Sequence, residues 1–285
     1  VIDLAAAAQF MAAHARAVDR RRFDLLTGSG SVAAVLRALR AYQNDDGGIG
    51  LLEPDARPPD SQPSAALYAI GILDEIGAAD DPLGPAILDW LQTVTGDDGG
   101  VPFVLPSAAA WPHAPWFAAP EDDASSLLMT AGLVAHALRL GLAHPWVAGA
   151  SAYCWDQIAA LTLDHGYTVR AALAFLDATP DRPRAEAQLD AIAERLPPSG
   201  VLPVAGGVEG EVLGALDVAP RPDHAARRLF ADDLVERELD ALAAAQRDDG
   251  GWTFSWPAWN PAAALEWRGI VTIEALATLR AYDRL

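Results

Sequence analysis

The tetrapeptide Asp-Asp-Gly-Gly occurs three times, at residues 45–48, 97–100 and 248–251, each time after a segment with helical periodicity. The copies begin 52 and 151 residues apart, the second interval being close to three times the first. A period of about fifty residues marks stacked units, none of which buries its own apolar face alone. Degenerate copies are therefore expected in the longer interval, where Asp164-His165-Gly166 and Pro198-Ser199-Gly200 fill the vacant places. With 285 residues, 52% of them apolar, the chain reads as one repeat-built domain over residues 1–285.

Two helical patterns alternate within the units. Residues 182–196 place Ala185, Leu189, Ile192 and Leu196 on one face and Arg184, Glu186, Asp190, Glu194 and Arg195 elsewhere, as a half-exposed amphipathic helix does. Residues 31–43 and 232–246 repeat that pattern. Residues 63–76, with Leu67, Tyr68, Ile70, Ile72, Leu73 and Ile76, and residues 123–142 are apolar nearly all round, the mark of helices buried on most sides. An outer helix, a Gly-rich turn, a variable loop and an inner helix, repeated about five or six times, predict an all-α fold, an α/α toroid of concentric helices; an open superhelix shares the pattern. Asp60 and Ser61 ahead of Pro63, and Asp122 and Asp123 ahead of the next inner run, stand where free helix amides need acceptors. Residues 101–105 and 201–204 are expected to extend briefly after their turns. The longest loops, 101–121, 201–222 and 252–263, all join an outer helix to the next inner one. A toroid gathers such loops at one end, where any site is expected.

Composition removes several chemistries. All 20 basic residues are arginine, so there is no lysine for a Schiff base or for a phosphate loop. A formal charge of −19 argues against nucleic acid or anionic lipid as a partner. The single cysteine, Cys154, excludes an internal disulfide and reads as an apolar filler. The six histidines show no paired ligand spacing, so no metal and no cofactor is expected. No stretch is apolar enough to span a bilayer, no signal-peptide pattern opens the chain, and a cytoplasmic location is the expectation.

The last copy of the turn reads Gln246-Arg247-Asp248-Asp249-Gly250-Gly251-Trp252, which resembles the glutamine–tryptophan repeat of the terpene cyclase and protein prenyltransferase superfamily, to which squalene–hopene cyclase belongs. Gln43 to Ile49 keeps the glutamine and the glycine, and the middle copy has Thr95 in the glutamine position and ends at Val101. The resemblance implies an α/α toroid over essentially the whole chain, with the glutamine tying a helix end to its neighbour and the tryptophan stacking against it. Proton-initiated cyclases of this superfamily carry Asp-x-Asp-Asp-Thr-Ala at the start of an inner helix, the middle aspartate acting as the acid. Pro120-Glu121-Asp122-Asp123-Ala124-Ser125 matches its two later aspartates, lacks the first, and places Ser125 one position out of register. The resemblance thus implies Asp122 or Asp123 as the acid and an isoprenoid or other apolar small molecule as substrate. Cyclases of the family usually hold substrate between two toroids. A chain of one toroid then needs its own loops, a second subunit in an oligomer, or the membrane to close the cavity.

An acid that protonates an alkene needs a dry site and aromatic faces for the carbocation that follows. Candidate substrate-contacting residues are Trp111, Trp116 and Phe117 before the acidic cluster, Tyr167, and Trp256, Trp259 and Trp267 after the last turn. Glu266 and Arg268 flank Trp267 at an inner-helix start and form either part of the site or an ion pair closing the ring against the N-terminal helix. The prenyltransferase branch implies a zinc held by an aspartate and a cysteine two positions apart, whereas Cys154 and Asp156 stand in reverse order. Asp232-Asp233-x-x-Glu236 has the outline of a metal-diphosphate motif, with a solvated first helical turn as the ordinary reading. Three functions remain open: an isoprenoid-transforming enzyme; a non-catalytic toroid binding a lipid, an isoprenoid or a protein; and a carbohydrate-active enzyme pairing Glu121 or Asp123 with Glu266.

Overall fold

The computed structural model describes residues 2–118 and 124–285. Among these, twelve α-helices and a single two-stranded ladder are present, so the all-α expectation holds. The chain divides into two compact units, residues 40–195 and residues 1–39 with 196–285.

In the unit formed by residues 40–195 the helices are α4 (Pro63–Glu75), α5 (Leu83–Thr93), α6 (Leu127–Arg139), α7 (Pro145–Ala159), α8 (Gly166–Ala178) and α9 (Arg182–Ala193). Helix α6 lies between α4 and α8, while α5, α7 and α9 flank this inner row. Burial follows the two sequence patterns. Met129 through Ala135 of α6 are all buried, which no amphipathic helix allows, whereas α9 buries only Ala185, Leu189 and Ile192.

The other unit holds α1 (Leu4–His14), α2 (Ala17–Leu26), α3 (Val32–Leu39), the four-residue α10 (Ala215–Val218), α11 (Asp232–Ala244) and α12 (Pro261–Ala281). Helix α12 packs on α1, α2 and α11. Asp19 of α2, fully buried, is shared by two arginines, accepting from half-buried Arg16 Nε at 2.6 Å and buried Arg22 Nη1 at 3.0 Å.

Several sequence expectations shift by a few residues. The inner run expected from 123 becomes helical only at Leu127, capped by Ser126, whose Oγ accepts from Met129 N at 3.4 Å. Capping of α6 therefore falls to Ser126 rather than to Asp122 or Asp123. The cause is visible upstream: Ser125 bridges Pro102 and Ser126 N donates to Val101 O at 2.8 Å, which holds the chain extended until 126. Residues 101–105 form only that single bridge. Leu202–Pro203 does extend, pairing antiparallel with Val212–Leu213. The residue before Pro63 that caps α4 is Gln62, which makes no side-chain cap; Ser61 is engaged elsewhere.

Candidate functional site

The three Asp-Asp-Gly-Gly turns share one internal design. In each, the residue before the first aspartate donates its N–H to the second glycine's carbonyl: Asn44 to Gly48 at 2.9 Å, Gly96 to Gly100 at 2.8 Å and Arg247 to Gly251 at 2.9 Å. The first glycine lies in the left-handed region, at φ 87° for Gly47 and Gly99 and 91° for Gly250, as the reversal after a helix end requires. The second aspartate turns inward and accepts from the second glycine's N–H, at 2.9 Å in Asp46, 3.0 Å in Asp98 and 3.2 Å in Asp249.

That inward aspartate also holds the start of the next inner helix. Ser61 Oγ donates to Asp46 Oδ1 at 2.7 Å and Ser125 Oγ donates to Asp98 Oδ1 at 2.7 Å. In the third copy Arg268 takes this role. Its Nη1 and Nη2 both meet Asp249 at 2.7 Å, its Nε donates to Trp252 O at 3.1 Å, and its guanidinium lies 4.4 Å over the Phe10 ring. Helix α12 begins at Pro261, well before Arg268, so a long side chain must supply there what a backbone N–H and a serine supply before α6. Arg268 thus pairs with Asp249 beside the N-terminal helix.

Each turn seats on a following outer helix through one four-residue step. A Cβ on the second glycine would lie 2.6 Å from Trp90, 2.8 Å from Tyr153 or 2.8 Å from Phe10, and the first glycine faces the residue four positions earlier, Ala86, Gly149 or Ala6. The last turn therefore packs on the first helix. Gln246 fastens the same junction, donating from Nε2 to Gly250 O at 2.9 Å and to Asp3 O at 2.8 Å and accepting from Asp3 N at 2.8 Å. Trp252 is almost wholly buried, its Nε1 donating to Leu242 O at 2.8 Å and its backbone N to Thr272 Oγ1 at 2.9 Å. Val101 N makes the equivalent bond to Thr130 Oγ1 at 3.0 Å.

The Arg268 hydrogen bonds hold the Asp249 carboxyl below its usual range. A carboxylate depressed on folding contributes stability that is complete above the unfolded value, about 4, and is lost as pH falls through the lower folded value. Asp249 is about half exposed, so the contribution is modest. Arg268→Gln should lower Tm at neutral pH and shrink the loss of Tm on acidification below pH ~4; thermal melts between neutral and strongly acid pH read both effects. An unchanged acid limb would remove the pair from the pH dependence.

The flanks of the acidic cluster are anchored. Asp122 and Asp123 themselves lie outside the described residues, as does Glu121. On one side, Phe117 is buried with Ala56, Val104 and Ala108, and Trp116 Nε1 donates to Asp55 Oδ2 at 3.0 Å. On the other, Ser125 is held by Asp98 and Ser126 by Val101. The loop before α4 meets the loop before α6 through Arg57 N to Pro112 O at 2.9 Å and Ala114 N to Asp55 O at 2.7 Å. Gln62, also buried, accepts from Leu105 N at 2.9 Å and donates to Ser107 Oγ at 2.9 Å.

Of the aromatic candidates in this unit, Phe117 is buried while Trp111 and Trp116 are 42% and 43% exposed. Tyr167 lies 5.3 Å under the Arg170 guanidinium at the start of α8. In the other unit Phe254 stacks on Trp256 at 4.6 Å, and Trp256 meets Trp267 edge-on at 5.2 Å, a half-buried aromatic cluster formed by the loop before α12 and by α12 itself. Trp259 and Glu266 are half-buried beside it in sequence.

Sequence reasoning missed Glu53 and Asp55, 5% and 3% exposed in a loop without periodicity. It named Ser61 and Ser125 but not their bonds to the second aspartate of the preceding turn, for which their shared place two residues before α4 and α6 is the signal.

Other titratable groups have structural partners. Asp232, Asp233 and Glu236 pair with Arg227, Arg237 and Arg284, which makes them a solvated arginine-paired face, and among the described residues no group of three ligands could hold a metal ion. Burial pushes the Cys154 thiol well above its ordinary range, consistent with filler. Burial and then the Asp98 carboxylate push the Tyr153 hydroxyl up to about 12.

No family model and no curated protein matches the chain. Solved structures do. A protein from Actinoplanes matches at 16% identity with a TM-score of 0.56, over 94% of this chain and 89% of that one. Type II terpene cyclase MstE from Scytonema, substrate-free, matches at 14% identity with a TM-score of 0.51, over 95% of this chain and 89% of that one. A variant of MstE with geranylgeranyl dihydroxybenzoate as substrate gives 15% identity, a TM-score of 0.52, and coverage of 95% and 88%. The chain has a terpene-cyclase-like, all-helical fold. This chain thus spans nearly nine-tenths of the MstE chains it matches. No helix among the described residues is long and apolar enough to cross a membrane.

Proposed function

We propose that the chain cyclises a linear isoprenoid by proton-initiated carbocation chemistry. The observation that carries the reading is the likeness to a type II terpene cyclase over 95% of the chain, with residues resembling the acid motif in the loop that leads into inner helix α6.

In this reading Asp122 donates a proton to a terminal alkene, ring bonds form as π electrons attack successive cations, and loss of a proton from carbon ends the sequence. Product and substrate then have equal mass. Asp123, the next residue in sequence, is the alternative acid. Trp116 and Phe117 on one side of the acidic cluster and Ser125 and Ser126 on the other are held by hydrogen bonds and packing. No cofactor has a part in this chemistry.

A second reading, a toroid that binds an isoprenoid without converting it, is favoured by Pro120 standing where the motif has its first aspartate. Incubation of the purified protein with a series of linear isoprenoids, geranylgeranyl dihydroxybenzoate among them, separates the two. Cyclisation should give a product of unchanged mass, altered retention and fewer alkene proton signals. Saturable binding with complete recovery of linear substrate throughout the series would establish the non-catalytic reading instead.

A further inference from the structure

We propose that the face shared by α4, α6 and α8 holds the head of a linear isoprenoid as a neutral hydroxyl group, through His136, so that the substrate class is an isoprenoid alcohol or phenol and not a diphosphate. The inference rests on the isoprenoid reading of the preceding section. Each of these helices is mostly buried, yet each keeps half-exposed residues at helical spacing: Leu67, Gly71 and Asp74 in α4, His136 and Arg139 in α6, Ala174 and Asp177 in α8. Contacts join the three strips into one surface. A Cβ on Gly132 of α6 would lie 2.9 Å from Leu67, a Cβ on Gly71 would lie 3.3 Å from His136, and Arg139 Nη2 donates to Ala174 O at 3.1 Å.

The surface changes character along its length. Toward the helix N-termini it carries Leu67, Leu128 and Tyr167, all half-buried. Eleven residues beyond Leu128, about 16 Å along the helix, it ends at Arg139 in a polar array completed by Asp74, His136 and Asp177. The acidic cluster precedes α6 in sequence, ahead of the apolar end. These four side chains are only 17–27% exposed, so a hydrogen bond made there competes with little water.

The bonding of the array leaves an acceptor over. His136 Nδ1 lies 2.8 Å from Asp74 Oδ2, and because a carboxylate only accepts, the ring proton sits on Nδ1 and the neutral imidazole keeps a lone pair at Nε2. No group among the described residues donates to Nε2. Gly71 keeps that nitrogen open, since the Cβ of any other residue would stand 3.3 Å from it.

The cations of the array are already engaged. Arg139 lies 3.6 Å from Asp74 through Nη1 and 3.4 Å from Asp177 through Nη2. Arg182, at the start of α9, donates from Nη1 to the carbonyls of Leu176 and Asp177 at 2.7 and 3.0 Å. With Glu75 next to Asp74 in sequence, three carboxylates stand against these two arginines. The one arginine within α8, Arg170, lies over the Tyr167 ring at 5.3 Å, toward the apolar end. A diphosphate or carboxylate head would therefore meet a negative balance, and an ammonium head would compete with Arg139 for carboxylates that it already bridges. A hydroxyl needs only what Nε2 offers, one acceptor for one proton.

The test is equilibrium binding to the full chain by calorimetry, with ligands that share one prenyl chain: geranylgeraniol, geranylgeranyl diphosphate, geranylgeranylamine and the hydrocarbon in which methyl replaces hydroxyl. The alcohol should bind roughly tenfold tighter than the hydrocarbon, the effect of one hydrogen bond to a poorly solvated acceptor, and tighter than the other two. His136→Phe keeps a ring and removes Nε2, and should abolish the alcohol's advantage while leaving hydrocarbon affinity in place. Gly71→Ala, which deletes no hydrogen bond of the array and favours the helix, should do the same by crowding Nε2, and keeps the test open if His136→Phe does not fold. Equal affinity for alcohol and hydrocarbon, tighter binding of the diphosphate or the amine, or an alcohol advantage that survives both variants overturns the proposal. Product analysis on the same ligands separates it from the reading it rests on. An alcohol advantage in binding without cyclised product leaves the head-group site standing and removes the catalysis, whereas equal cyclisation of all four ligands does the reverse; failure of every ligand to bind overturns both.

Discussion

Asp122→Asn is expected to lower the cyclisation rate by roughly 10²–10⁴-fold, the contribution of a positioned general acid. Asparagine matches aspartate in shape and cannot donate a proton of comparable acidity to carbon, so the change isolates the proton. The substrate is held by apolar contact, which the amide leaves in place, so KM should move far less than kcat. Asp123→Asn is the companion measurement. As neighbour to the acid, Asp123 should show the smaller loss, and a larger loss there would exchange the two roles. Equal turnover in wild type and both variants would remove this cluster from the chemistry, whatever the fold.

Gly250→Ala should cost about 2–5 kcal/mol, combining left-handed strain with a steric clash. At φ 91° an added Cβ would lie 2.2 Å from both the carbonyl carbon and oxygen of Ala6. Those are backbone atoms inside α1, which cannot swing aside as a side-chain tip can. The junction between the last turn and the first helix must open, loosening Gln246 from Asp3 and Arg268 from Phe10 together. For a chain of this size Tm should fall by roughly 10 °C. Gly28→Ala separates the two costs, because Gly28 has a similar φ of 81° with nothing within 4 Å of its added Cβ. It should lose only about 1–2 kcal/mol. Equal losses in the two variants would mean that the turn does not bear on α1 as described.

The repeated turn shows where sequence reading stops. Its glycines and aspartates were legible as helix-ending elements because positive φ and amide capping are local demands. Which aspartate turns inward was not legible: Asp45 and Asp46 are equivalent in sequence, and only the serine fifteen residues on distinguishes them. Arg268 was legible as a charge needing a partner at a buried helix start, but Asp249 was not named as that partner. The buried Glu53 and Asp55 left no trace in the pattern, because a non-repeating loop has no period to break.

The sequence by itself determined the helix classes, their order and the repeat length, since the spacing of apolar residues along a helix decides how many of its sides must be buried. It also carried the resemblance that named the fold, later matched over 95% of the chain at 14% identity. Tertiary structure alone decided that the last turn seats on α1, that Ser126 and not an aspartate caps α6, and that Trp111 and Trp116 face outward while Phe117 does not. The physical reason is range. Helix type follows from neighbours three or four residues away, whereas a turn's seat, a buried acid's partner and an aromatic's exposure depend on groups up to 243 residues distant, as between Gln246 and Asp3.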